Sequence, residues 1–402
     1  VSSKPLDGVR VLAAEQMQAL PYATQLLARL GADVVKVEPP AGEAGRGSQP
    51  SMLDPEGRPV GATFLRNNLG KRSVAIDLKN EQGRELFLRL VPKFDVVAEN
   101  FKAGTMERLG LGYEAVRAVH PSVIYASVSG FGGNGSPYGS WPAYASIVEA
   151  MSGIYDYTRR PGEAPRANPV GALGDISSAL FAAIGILAAL RHRDLTGEGQ
   201  QVDVAMLDAT VAMTDIVTNF ASLGQPSQPY PPPYILDTFR ASDGWFVMQL
   251  VREHQFERLA DTIGRPEWRD DPRLADRTGW GEHLDGVIRP GIEGWAATRT
   301  KMQAAQELMA AGVAAGPCLE SGEVIADPHL AARNMLVEMP RTDGVEQPVL
   351  VPGNPVKLSN VSEDDEGRVP WVGEHTSEVL RAELGLDDSD LNALAEAGII
   401  SR

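Results

Sequence analysis

The sequence predicts an α/β chain built on an open, mostly parallel sheet, and three observations predict it. Up to residue 130 the apolar residues switch repeatedly between strand periodicity and helical periodicity. The switches are spaced closely enough for strand–helix–strand units, whose crossovers imply parallel pairing. Gly31 stops the first helix just before a strand resumes.

Taken in order, Val9–Ala14 is an apolar strand and Tyr22–Leu30 places Leu26, Leu27 and Leu30 on one helical face. Asp33–Glu38 closes the first unit as a second strand. The pattern recurs with a helix at Glu81–Leu90, a strand at Asp95–Ala98, a helix at Tyr113–Val119 and a strand at Val123–Val128. Residues 39–70, rich in glycine and proline, read as one long loop, and long loops in compact domains are often functional. Ile176–Arg191, beginning directly at Asp175, is a helix with Ala, Leu, Ile and Phe on both faces, so burial on both faces is expected.

Gln225–Tyr234, QPSQPYPPPY, suits neither helix nor central strand and reads as a linker. A smaller α+β domain then spans 235–330. It opens on a hairpin in Phe239–Leu250 with Asp243-Gly244 at the turn, and helices follow at Gln255–Thr262 and Lys301–Ala310. Residues 1–224 form the large domain, and 331–402 return to it through a Pro-rich stretch, a helix after Thr376 and another at Asp388–Ala397.

The chain has 402 residues, room for two to three domains at about 150 residues each. Its net charge of −16 excludes a nucleic-acid binder that relies on bulk positive charge. An anionic ligand would need a local basic pocket. The single cysteine, Cys318, excludes an intramolecular disulfide framework and a cysteine-based zinc site, and it reads as a small packed residue. The first residues lack the apolar core of a signal peptide. Ala179–Leu190, the longest apolar run, falls short of the about 20 residues that span a bilayer. A soluble, cytoplasmic protein with no membrane partner is expected.

Gly130-Phe-Gly-Gly-Asn-Gly135 matches the dinucleotide fingerprint after a strand, but Ser136-Pro-Tyr-Gly139 stops the helix that must open there. The segment reads better as a flexible glycine loop. The six histidines form no i, i+4 pair, and no metal site is expected. Asp175, in Gly171-Ala-Leu-Gly-Asp175, has two readings that residue types alone leave open. It is an N-cap, accepting backbone N–H groups, or it is a nucleophile kept ionised by the helix N-terminus.

Several segments in this order resemble the family III, formyl-CoA transferase-like, CoA-transferases, which include the α-methylacyl-CoA racemases. They are Lys4-Pro-Leu-Asp-Gly8, Ala23 through Glu38, Gly70-Lys-Arg-Ser73 and Val97-Ala-Glu-Asn-Phe101. Ala126 through Gly132, Thr196-Gly-Glu-Gly-Gln200 and Gly373-Glu-His-Thr376 continue the series. The resemblance implies a Rossmann-like large domain, a small domain between two long linkers, and an interlocked, ring-like homodimer.

It also implies that Asp175 is the nucleophile of a CoA transfer from an acyl-CoA donor to a small carboxylic acid. The route passes through anhydrides and an aspartyl-CoA thioester. Gln18, Ala19 and Tyr144 fall at positions facing the substrate or its oxyanions. Ile76, Lys79, Asn100, Phe101, Lys102 and Arg108 fall at CoA-binding positions. No cofactor is bound permanently; the CoA thioester is the substrate. Racemisation of a 2-methylacyl-CoA is the alternative, and it needs an acid–base pair in which Tyr144 replaces the racemases' histidine; a phenol is a poor base at neutral pH. A non-catalytic acyl-CoA binder is the other. The chain departs from formyl-CoA transferase in carrying Pro39 at a nucleotide-side arginine position, and the glycine-rich lid has no clear counterpart.

Overall fold

The computed structural model describes residues 4–133, 135–157, 162–167, 172–219, 221–224, 231–363 and 367–402. Gly171, Asn134 and most of the expected linker at 225–234 lie outside these. Two compact units divide the chain. The larger comprises Val1–Asp156, Pro165–Ile216 and Ala331–Arg402, and the smaller comprises Tyr157–Ala164 and Val217–Leu330.

The larger unit is built on strands β1 (Arg10–Ala14), β2 (Asp33–Glu38), β3 (Lys71–Ile76), β4 (Val96–Glu99), β5 (Ile124–Ser129) and β6 (Gln200–Ala205). All six pair in parallel. Ile400–Ser401 adds an antiparallel edge strand beside β3. Among the described residues the order is Ile400–Ser401, β3, β2, β1, β4, β5, β6. The chain therefore winds outward from β1 to β3, returns to β4 and winds the other way, which makes the β1/β4 boundary a topological switch point.

Alternating side chains feed two cores. Val11, Ala13, Val96, Ala98, Ile124 and Ala126 face helix α1 (Ala19–Arg29) and helix α2 (Leu173–Thr196). Leu12, Ala14, Val97 and Tyr125 face the opposite layer, which includes the helices Glu81–Leu90 and Tyr113–Val119. Both α1 and α2 run antiparallel to the strands, so both begin at the carboxyl edge of the sheet, where open α/β sheets bind ligands.

Helix α2 begins two residues before Asp175 and extends to Thr196. By length and composition it is apolar enough to cross a membrane, with a mean hydropathy of 1.9, yet half of that window is buried inside the protein. It packs against α1 through Ala179, Ala182, Ala183 and Ile186 as a core helix. The expected burial on both faces is corrected: Leu180, Phe181, Ile184 and Leu187 are exposed, Ile184 by 60%. These residues recur at helical spacing, so the uncovered side is a continuous apolar stripe.

Residues 39–70 are more ordered than a plain loop. They contain the strand pair Ser51–Leu53 and Pro59–Gly61 and a short helix, Ala62–Asn67. Met52, Phe64 and Leu65 form a third core with Met339 and Val351, from the antiparallel ribbon Leu336–Met339 and Val349–Pro352. The smaller unit carries the expected hairpin, Ile235–Arg240 with Trp245–Leu250, joined at Asp243-Gly244. Ala314–Pro317 pairs beside it, and Phe256 stacks on Trp280 at 4.7 Å in its core. Cys318, expected to be packed, is exposed there.

Candidate active site

The turn after β1 lies at the switch point and is held from several sides. Asn100, following β4, brackets Gln16 like a peptide group: its Oδ1 accepts from the Gln16 N–H at 2.9 Å and its Nδ2 donates to the Gln16 carbonyl at 2.9 Å. Met17 adopts a φ of +61°, which costs a non-glycine residue about 1–3 kcal/mol. Its N–H donates to Glu43 Oε2 at 3.0 Å.

Beneath the turn is a network of buried charges. Glu15 receives Lys71 Nζ at 2.6 Å and Thr24 Oγ1 at 2.7 Å, and Lys36 Nζ donates to the Glu15 carbonyl at 3.1 Å while facing Glu43 at 3.5 Å. Burial pushes Lys71 down to about 8, against the opposing pull of Glu15. Glu38 accepts from Arg46 Nε at 2.8 Å and Ser73 Oγ at 2.6 Å. Ser73 in turn accepts from the Gly373 N–H at 2.9 Å, and its own N–H donates to His375 Nδ1 at 3.2 Å. Lys71, Ser73, Gly373 and His375 thus form the scaffold under the turn.

Asp175 occupies the third position of α2, and Ala172, with no side-chain cap, precedes the helix. The N-cap reading of Asp175 is therefore corrected. The helix start is satisfied from elsewhere: Glu149 Oε1, on the helix Ala145–Met151, accepts from the Gly174 N–H at 3.1 Å. Glu149 Oε2 accepts from the Tyr155 hydroxyl at 2.6 Å. Gly174 is required at this contact, since a Cβ there would lie 2.7 Å from Val148 Cγ2 and 3.2 Å from Ala145 Cα.

The Asp175 carboxylate itself makes no hydrogen bond or ion pair among the described residues. It is partly buried, and its pKa is pushed up to about 6, first by burial and next by the negative charge of Glu149, against the opposing charge of Arg66. A carboxylate so placed is poorly solvated and unoccupied by protein donors, which suits a nucleophile.

Gln18 directly precedes α1, and its Nε2 is buried without a hydrogen-bond partner among the described residues. An amide donor left unmatched at a helix start is available to a ligand oxygen. The Ala19 side chain is buried, leaving its backbone as the part that could face a ligand. Tyr144, just before the helix that carries Glu149, is 74% exposed.

The positions expected to bind CoA gather along the opposite face of the sheet at the same edge. Ile76, Leu78, Phe101 and Leu109 belong to one apolar cluster, and Lys79, Lys102 and Arg108 are exposed beside it. These three side chains form no ion pair among the described residues; Arg108 Nη2 donates to Thr105 Oγ1 at 2.9 Å. Asn100 departs from the group, because its amide is committed to Gln16. Neighbouring Glu99 accepts from the Phe101 N–H at 2.9 Å, and burial pushes it up to about 8.

The glycine loop is tied rather than loose. The Gly132 N–H donates to Ser129 Oγ at 3.1 Å and the Gly133 N–H to Asp203 Oδ2 at 3.0 Å. With one amide on a hydroxyl and the other on a carboxylate, neither is open to a pyrophosphate. Among the described residues no group of three His, Cys, Asp or Glu is placed to hold a metal.

Sequence reading did not single out Glu149 or Arg66. Glu149 sits in an ordinary amphipathic helix, and nothing local marks it as the cap of a helix 24 residues later. Arg66 lies in a stretch read as loop.

These features define a Rossmann-like α/β protein with an unpartnered carboxylate at a helix start near the switch point. The family model described as CoA-transferase family III matches residues 6–376. A succinyl-CoA:mesaconate CoA-transferase of Haloarcula hispanica is 36% identical over 385 residues, covering 93% of this chain and 95% of its own. A formyl-CoA:oxalate CoA-transferase of Streptomyces avermitilis is 35% identical over 419 residues, covering 99% and 100%. The crystal structure of a CaiB/BaiF family protein from Brucella suis superposes with a TM-score of 0.84 at 34% identity, covering 95% of this chain and 100% of that one. The chain belongs to CoA-transferase family III and is a CoA-transferase.

Proposed function

We propose that this enzyme moves CoA from an acyl-CoA donor to a small carboxylic acid through covalent intermediates on Asp175. The observation that carries the reading is the Asp175 carboxylate, left without donors among the described residues at the start of α2 and raised to about 6. At pH 7 such a group is about nine-tenths ionised and more basic than an ordinary aspartate.

A carboxylate oxygen of Asp175 attacks the thioester carbonyl, and collapse of the tetrahedral adduct expels CoA thiolate and leaves a mixed anhydride. The thiolate attacks the aspartyl carbonyl, forming an aspartyl-CoA thioester and releasing the donor carboxylate. The acceptor carboxylate attacks that thioester and expels the thiolate again. The thiolate then takes the acceptor acyl group from the second anhydride, which restores Asp175. Each adduct carries an oxyanion, and the unmatched Gln18 amide supports a donor role there. Ala19 contributes its backbone, and Tyr144 borders the acyl group.

CoA lies along the opposite face of the same edge, with Phe101 and the Ile76 turn against the nucleotide and Lys79, Lys102 and Arg108 near its phosphates. Asn100 acts by holding the Gln16 turn. The working form is an interlocked homodimer, supported by the exposed stripe of Leu180, Phe181, Ile184 and Leu187 on α2. The enzyme works in a reducing cytoplasm, with Cys318 as a free thiol.

The test is isotope exchange between a labelled acyl-CoA and a panel of acids, with Asp175→Ala as the comparison. Exchange is expected to fall by at least about 1,000-fold while CoA still binds. Retained exchange overturns the mechanism, and solvent deuterium at the α-carbon points instead to racemisation.

A further inference from the structure

Arg66 closes the short helix Ala62–Asn67 and is half-buried. Its guanidinium lies over the Tyr22 ring, 5.7 Å from the centroid. Tyr22 is one turn along α1 from Gln18, so the two side chains share a helix face. Although five N–H groups point from this side chain, it makes no hydrogen bond or ion pair among the described residues.

The same arginine lines a cavity of about 490 Å³ whose walls include Met52, Leu65, Val349 and Val351. A second arginine on that cavity, Arg341, is already occupied: its Nε donates to Asp343 at 2.9 Å. Arg66 is also near enough to Asp175 for its charge to oppose the upward push on that carboxyl.

A half-buried guanidinium over an aromatic ring, facing an apolar cavity with its fork unused, matches a planar anion. An uncharged chain end at the same place would leave those donors unmatched.

We infer that Arg66 is a specificity-determining residue that receives the distal carboxylate of a dicarboxylic acyl group while the other end reacts at Asp175. The inference rests on the proposed transfer at Asp175. It sets the substrate class as short dicarboxylic acids, with the distal carboxylate at the Arg66 edge of the cavity that Val349 and Leu350 also border. The phosphates of CoA are the other anions that a free guanidinium here attracts, so the test must separate the two.

The test compares succinyl-CoA with butyryl-CoA, which share CoA and a four-carbon chain and differ in the terminal carboxylate. Binding is measured by calorimetry on Asp175→Ala, where no turnover intervenes, with and without Arg66→Gln. Exchange is measured with succinate and butyrate on the otherwise native chain. Succinyl-CoA is expected to bind about 30-fold tighter than butyryl-CoA, and Arg66→Gln to bring that ratio close to one, with Arg66→Lys restoring part of it. The exchange preference should narrow in parallel.

A ratio that survives Arg66→Gln overturns the inference. So does an equal loss for succinyl-CoA, butyryl-CoA and free CoA, which assigns Arg66 to the phosphates. If the native chain exchanges no acid yet the Arg66-dependent binding ratio persists, the transfer reading falls and the carboxylate site stands. If exchange is robust and the ratio ignores Arg66, the reverse holds.

Discussion

Two turns at the carboxyl edge of one sheet treat charge in opposite ways. After β1, two carboxylates under the Gln16–Gln18 turn are matched by hydrogen-bond donors: Glu15 by Lys71 and Thr24, Glu38 by Arg46 and Ser73. At the start of α2, Asp175 has no donor among the described residues and has a like charge, Glu149, nearby. The first arrangement fixes a backbone that φ alone disfavours. The second leaves a carboxylate without what would stabilise it, which is what the proposed nucleophile requires. Matched charge here builds position; unmatched charge marks chemistry.

The largest effect should come from unmatching the built side. Lys71→Met leaves Glu15 buried with its main cation gone, and such a break costs about 3–5 kcal/mol. Denaturant unfolding should register it, and exchange should fall with it as the Gln18 turn loosens. An unchanged midpoint would mean that the network is not holding the turn.

A smaller effect of opposite sign is expected at the reactive side. Asp175 has a folded pKa of about 6, above the 3.8 of an unperturbed aspartate, so the folded state binds its proton more tightly. Stability is therefore lost as pH rises from about 4 through about 6, and the deficit persists above it. Asp175→Asn removes the ionisation and should stabilise by about 1–2 kcal/mol at pH 7, allowing for partial exposure, and by little at pH 4. Thermal unfolding at the two pH values checks it.

Glu149 sharpens the comparison because it is both cap and like charge. Glu149→Ala removes the acceptor of the Gly174 N–H and should cost about 1–2 kcal/mol. Glu149→Gln keeps an acceptor but drops the charge, so most stability should return. The acid limb of the exchange profile, expected near pH 6, should then move to lower pH. A limb that stays in place would separate Glu149 from the ionisation of Asp175.

How much of this was readable in advance depended on where the physical cause lay. Glu81–Leu90 and Lys301–Ala310 form as their periodicity indicates because each buries one regular face, and Asp33–Glu38 forms as an apolar run buried on both faces of the sheet. Strand Lys71–Ile76 was hidden by its own polarity, since Lys71 and Ser73 are buried through partners distant in the chain. Gln200–Ala205 is an edge strand with polar alternate positions, so its apolar signal is thin.

The site divides the same way. Asp175 and Gln18 enter the proposed site through resemblance to a family. The residue types left Asp175 between cap and nucleophile, and its place as the third residue inside the helix, with Ala172 before it, decides against the cap. Asn100 was read as a ligand contact, whereas its amide shape serves a backbone. Arg66 is distinguished by lacking a hydrogen bond or ion pair among the described residues, a property of three dimensions that no motif encodes.

Gly373 and His375 reach Ser73, and Ile400 pairs with Ile76, across some three hundred residues. During synthesis, then, β3 waits for its neighbour while all of the smaller unit is made. Until residues 373–375 have left the ribosome Ser73 lacks two partners, and until residue 400 follows one side of β3 stays open to other strands. Nascent chains of the larger unit should be the stage most dependent on chaperones, and shortened chains ending before Gly373 the forms most prone to aggregate.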